Sequence, residues 1–166
     1  MGLASRIKAS YFDAGLGIRV PRVIAADAVG PTNLFTVAGG YIILTGLYGI
    51  VTAARTGGAG ATQVFTHTAT NLCIAGITGL ATVGTVVTIT GDPADALIIG
   101  VGTGVANTVA PLQGGIKGSG VGGMNMFGLI LGVGSITTTI SIVTTGATRY
   151  VISYIPIDDT ARVRAV

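Results

Sequence analysis

Tryptophan and glutamate are missing from this chain altogether, and cysteine and histidine occur once each. Each shortage excludes something. A single cysteine, Cys73, rules out an intrachain disulfide and suits a protein made in a reducing cytoplasm, where it reads as a small buried hydrophobe. One Cys and one His, His67, are too few to make a zinc ligand set without carboxylates. Aromatics are only 5% of the residues. That leaves no stacking platform for a single-stranded nucleic acid and no aromatic girdle for a membrane barrel. Charged residues are 9%, against about 25% in ordinary globular domains.

Long apolar runs are missing too, despite a strongly positive mean hydropathy. Stretches 37–54, 72–90 and 126–146 carry little or no charge, but Gly and Thr interrupt each every few residues. None supplies the roughly 20 mainly aliphatic residues of a spanning helix, so no membrane association is expected. No secretory leader is expected either, because Arg6 and Lys8 run into Tyr11-Phe12-Asp13 and not into an apolar segment. Met1-Gly2 lacks the Ser or Thr at position 6 that myristoylation needs, since Arg6 stands there.

What is present is glycine (28 residues), threonine and β-branched aliphatics, the composition of an all-β chain. Strands are expected at 34–37, 41–54 (interrupted at Gly46 and Gly49), 62–69, 85–90, 96–101, 126–133, 135–143 and 149–156. Strict alternation places Ile136, Thr138, Ile140 and Ile142 on one face, and Tyr150, Ile152 and Tyr154 together further on. Gly91-Asp92-Pro93 is a turn signal. RTGGAGA (55–61) reads as a loop, as does the glycine-dense segment 114–123. Eight or nine strands at this spacing predict a jelly-roll-like sandwich or a closed β-barrel.

Charge sits at the two ends. Residues 31–148 hold only Arg55, Asp92, Asp95 and Lys117. The first 23 residues hold Arg6, Lys8, Arg19 and Arg22, with Asp13 among them. This divides the chain into an extended N-terminal arm, 1–30, and a β-domain, 31–166. Arg19 and Arg22 bracket Val20-Pro21, and proline biases the residue before it towards extended backbone. A segment with so little apolar period is expected to order only against another chain. Deleting 2–23 should then leave the β-domain folded.

No catalytic chemistry is legible. Gly118–Gly123 formally matches a dinucleotide fingerprint, but a strand-like segment follows it and no acid occurs between Asp95 and Asp158. His67 and Cys73 form a conceivable base–nucleophile pair with nothing placed to orient it. Asp92 and Asp95 fit a turn, where Asp bonds its own backbone, and Asp158-Asp159 a solvated turn. The net charge of +3 is spread over single Arg and Lys residues, which does not make a nucleic-acid surface. No cofactor and no metal is expected, and no enzymatic activity.

The opening ASRIKASYFDAGLGIRVPRV, the central YIILTGLYGIVTAA, the turn TGDPADAL and the close YVISYIPIDDTARV resemble small virion proteins of tailed bacteriophages and prophages. Their shared elements, RIKxSYFD, LTG(L/I)(Y/F)G and YxP(L/I)DD, stand here at 6–13, 44–49 and 154–159. The chain is similar to capsid decoration (cement) proteins. Segment 114–123 and the sparse charge depart from that pattern. The resemblance implies a jelly-roll-like or related β-barrel, a homotrimer at capsomer junctions, and an N-terminal arm lying on the major capsid protein at the virion surface. Arg6, Lys8, Tyr11, Phe12, Arg19 and Arg22 are the expected capsid contacts. Competing expectations are a head-fibre or tail-associated β protein and a small β-barrel binding module.

Overall fold

The computed structural model describes residues 17–25, 29–56, 58, 60–78, 81–100 and 129–166. Every regular element among them is a strand. These are β1 (Ile18–Ile24), β2 (Gly30–Ala38), β3 (Ile42–Ala53), β4 (Thr62–His67), β5 (Thr70–Asn71) and β6 (Gly76–Ile77). They continue with β7 (Val86–Thr88), β8 (Ile98–Gly100), β9 (Leu129–Leu131), β10 (Gly134–Ile140), β11 (Ala147–Pro156) and β12 (Arg162–Ala165). Among the described residues no helix is long and apolar enough to cross a membrane.

Two antiparallel sheets result. The first runs β1-β11-β3-β7-β8, with β9 pairing the start of β3; the second runs β12-β2-β10-β4-β5, with β6 pairing β4. Inward residues follow the period of two, and the apolar ones form a single core. Leu44, Leu47, Ile152 and Tyr154 come from the first sheet, and Phe35, Val37, Phe65 and Ile136 from the second. Two β-bulges interrupt the β11–β3 ladder, one of them between Ser153 and Tyr154, which pair Gly46 and Leu44 and leave Thr45 as the extra residue.

The chain is a sandwich and not the closed barrel the strand count allowed. Among the described residues each sheet ends in free edges. Along one edge β1 and β12 lie in different sheets, and the Arg22 Nη1 bond to the Leu34 carbonyl (3.1 Å) ties β1 to β2 across the layers. Pro21, with no N–H to offer, fits an edge strand such as β1. Along the other edge a single parallel bridge, Ile74–Ala96, joins the two layers.

One corner carries two of the crossovers between layers. The chain leaves β2 for β3 through Gly39-Gly40, and leaves β11 for β12 through 157–161. The two passages are stitched together. Ile157 N–H donates to the Tyr41 carbonyl (2.9 Å), Tyr41 N–H to Asp158 Oδ2 (2.6 Å), and the Thr160 hydroxyl to the Gly39 carbonyl. Gly39 and Gly40 have positive φ, and a Cβ on either would collide with Thr160 O or Asp158 Oδ2. Asp158 of the closing motif is therefore a structural residue that fixes the corner.

Sequence reasoning put residues 18–24 into an arm. They form β1, paired residue by residue with β11 from Ile18–Tyr154 to Ile24–Thr148, and β2 begins at Gly30. Deletion through residue 23 would thus remove most of an in-sheet strand. Ile142, expected inward with Ile136 and Ile140, is 42% exposed. The strand ends at Ile140, where Ser141 turns to bond Thr62. Segment 114–123 lies outside the described residues.

Candidate functional site

Two features of the sandwich depart from plain core packing: a polar bridge inside it and an unusual outer face.

The bridge centres on Arg55. The stretch 55–61 reads as a surface loop, but Arg55 is only 2% exposed. It stands two residues past the end of β3, so its side chain continues the inward register and enters the space between the layers. Its Nε and Nη2 donate to Thr148 Oγ1 (3.2 and 2.8 Å). Nη2 also donates to the Tyr150 hydroxyl (3.1 Å) and Nη1 to Gln63 Oε1 (3.1 Å). Gln63 Nε2 donates in turn to Thr138 Oγ1 (2.8 Å) and to the Tyr150 hydroxyl (3.0 Å). Thr148 and Tyr150 belong to the first sheet, Gln63 and Thr138 to the second, so the network spans the sandwich. The Tyr150 ring meets Phe65 edge to face, with centroids 6.0 Å apart. Buried polar groups left unmatched are costly, so this array resists sliding of one layer over the other. It holds the fold.

The outer face belongs to the first sheet. Register lines up Ile155, Ile43 and Ile130 across β11, β3 and β9. Pro21, Val151 and Tyr48 make a second row across β1, β11 and β3, and Val23, Arg149, Ile50 and Val86 a third, ending on β7. Ile130 and Val23 are 66% and 61% exposed. Tyr41, also exposed, adds to the corner beside Ile130 and Ile157. The opposite outer face is polar. There Thr36 and Arg164 pair across β2 and β12, and Thr137 and Thr66 across β10 and β4, with the last two hydroxyls in contact.

Of the expected capsid contacts, Arg6, Lys8, Tyr11 and Phe12 lie outside the described residues. Arg19 is exposed on the apolar face, opposite Ser153. Arg22 points inward and is bonded to Leu34. The structure therefore does not bring Arg19 and Arg22 to one surface.

The remaining chemistry-bearing residues sit apart. His67 Nε2 donates to the Gly132 carbonyl (3.1 Å). Cys73 is buried in the core, and desolvation pushes its thiol above the ordinary value, although a backbone hydrogen bond at Phe65 opposes the shift. That is the wrong direction for a nucleophile. Asp92 accepts the Ala94 N–H (2.9 Å) as a turn residue. Among the described residues no group of three or more His, Cys or Asp could hold a metal ion.

Sequence reasoning missed Arg55. The signal was present: it is one of four charges in 31–148, and Gln63 and Thr138 are polar residues at inward positions of alternating strands. No protein-family model, curated protein or solved structure matches the chain.

Proposed function

We propose that this chain is a structural virion protein that binds the outside of a phage capsid as a decoration protein, as a homotrimer, and stabilises the shell without catalysis. In this reading the sandwich is jelly-roll-like, the major capsid protein is the partner, and the capsid-gripping arm is the segment before β1. The observation that supports it best is how polarity is distributed. Around Arg55 the interior polar groups are bonded to one another across the layers, whereas the first sheet turns an apolar face bearing Arg19 and Arg149 outward. That suits a protein whose work is adhesion. Many modest contacts, multiplied over trimers on a shell, hold by avidity.

The test is binding to expanded shells of the major capsid protein from the same genome, by co-sedimentation. Deleting 2–16, which leaves β1 intact, should weaken binding at least about tenfold, with Arg19→Glu adding a smaller loss. Each lost charge-assisted contact carries about 1.5–3 kcal/mol. Shell binding unchanged by both alterations would overturn the arm. No binding by the intact chain would overturn the function.

A further inference from the structure

The outer face of the first sheet is largely apolar, crossed between its first two rows by Arg19, Ser153 and Gly46. Its three rows span about four strands and seven residues, a flat footprint of roughly 450 Å² before side-chain relief. That is at the level of the largest patches on ordinary monomers, and more than half of the roughly 800 Å² each partner gives to a stable interface. Its charges are Arg19 and Arg149, and no carboxylate lies on it among the described residues. The described carboxylates sit elsewhere, Asp92 and Asp95 in the β7–β8 turn and Asp158 and Asp159 in the β11–β12 turn. The chain thus displays on its turns the charges that its apolar face lacks.

We infer that this face is where a second copy of the chain packs. The face of one copy meets a different surface of the next, bringing Arg19 and Arg149 towards the neighbour's acidic turns. A head-to-tail contact of this kind closes into a ring when the rotation between copies divides a full turn, as in a trimer. A late-arriving shell is the poorer occupant, because a decoration protein exists free before it meets the capsid, and a patch of this size marks a protein–protein contact that a second copy can fill from the start. The hydroxyl-rich face of the second sheet needs no such cover. The inference rests on the self-association in the proposed function and supplies its surface.

Ile130→Lys and Val23→Lys test it, since both side chains are largely exposed and lie at opposite corners of the face. The wild-type chain should elute as one discrete oligomer by size exclusion with light scattering. Each variant should keep its circular dichroism and fall to 16.4 kDa, or show a dissociation constant raised at least about thirtyfold, because the lysine carries an unpaired charge into the contact. Thr137→Lys on the opposite face should leave the mass unchanged. Should either lysine prevent folding, Ile130→Thr keeps a β-branched strand residue and should still weaken assembly about tenfold. A monomeric wild type at about 100 μM, or an oligomer indifferent to these substitutions, would overturn the inference. Shell binding separates it from the parent reading. An oligomer that dissociates as described but ignores shells sinks decoration alone, and a monomer that decorates shells sinks this interface alone.

Discussion

Arg55 shows what one charged residue costs and does in a core of this kind. Taking a guanidinium out of water is expensive, and the arrangement repays this only when its donors are matched. Here they meet Thr148, Tyr150 and Gln63. Arg55→Met should therefore destabilise by about 3 kcal/mol, mostly through the acceptors left behind on Gln63, Thr148 and Tyr150. Tyr150→Phe keeps the edge-to-face contact with Phe65 and should cost about 1–2 kcal/mol. Urea unfolding measures both, and because the residues share a network the double variant should lose less than the sum. A second residue-scale test lies in the β4–β5 hairpin. Its turn, Thr68-Ala69, has φ of 46° and 66°, the left-handed pair of a type I′ turn that favours Asn-Gly. Ala69→Gly should raise stability by about 0.5–1 kcal/mol, read as a higher melting temperature, despite the added freedom of the unfolded chain. Cys73 gives a pH effect of known sign. Burial holds its folded-state pKa above the ordinary thiol value, so the unfolded chain releases its proton first. The contribution is whole below about 9 and is lost as pH rises from there towards the raised value. Denaturation midpoints of the wild type should fall over that range more steeply than those of Cys73→Ala.

At the scale of elements, the central strands were legible because their signals are local. The alternation in 135–140 and 149–154 predicts which side chains face inward, and Ile136, Thr138, Tyr150 and Ile152 do. The two end strands were not legible, because charge and proline hid the period. In β1 the inward set is Ile18, Val20, Arg22 and Ile24, and an inward Arg breaks the apolar pattern until Leu34 is seen to receive it. In β12 Val163 is buried between exposed Arg162 and Arg164. That is a clear alternation, but four residues long and easily taken for a solvated tail. Which strands share a sheet was less legible still. The layer switch at Gly39-Gly40 depends on contacts with Asp158 and Thr160 more than a hundred residues away. The candidate surface was legible only as charge. Arg19 and Arg22 looked equivalent in sequence, and only the pleat separates them. Truncation tests this element account. Removing 2–16 should leave the melting temperature within a few degrees of wild type. Removing 2–24 should strip the inward Ile18, Val20 and Ile24 from the core and cost about 4–6 kcal/mol, at about 1.5–2 kcal/mol for each side chain partly buried. Equal stability of the two truncations would show that β1 contributes nothing.

At the scale of the whole molecule, the sandwich has two unlike outer faces, one apolar and basic, the other rich in hydroxyls. A polar array bolts the layers together from within. On the inferred interface, such a body packs in repeated copies. The decoration reading joins these properties to the resemblance carried by 6–13, 44–49 and 154–159. Two of those motifs have structural work within the sandwich: 44–49 forms the bulged middle of β3, and Asp158 ties the corner. The measurement that tests the central claim most directly is co-sedimentation of the purified chain with expanded shells of the major capsid protein from the same genome, titrated to saturation. The account predicts saturable binding at a fixed number of copies per capsomer, in multiples of three, and shells that survive higher temperature once saturated. A chain that stays in the supernatant at every concentration, with the shells no more stable for its presence, would contradict it.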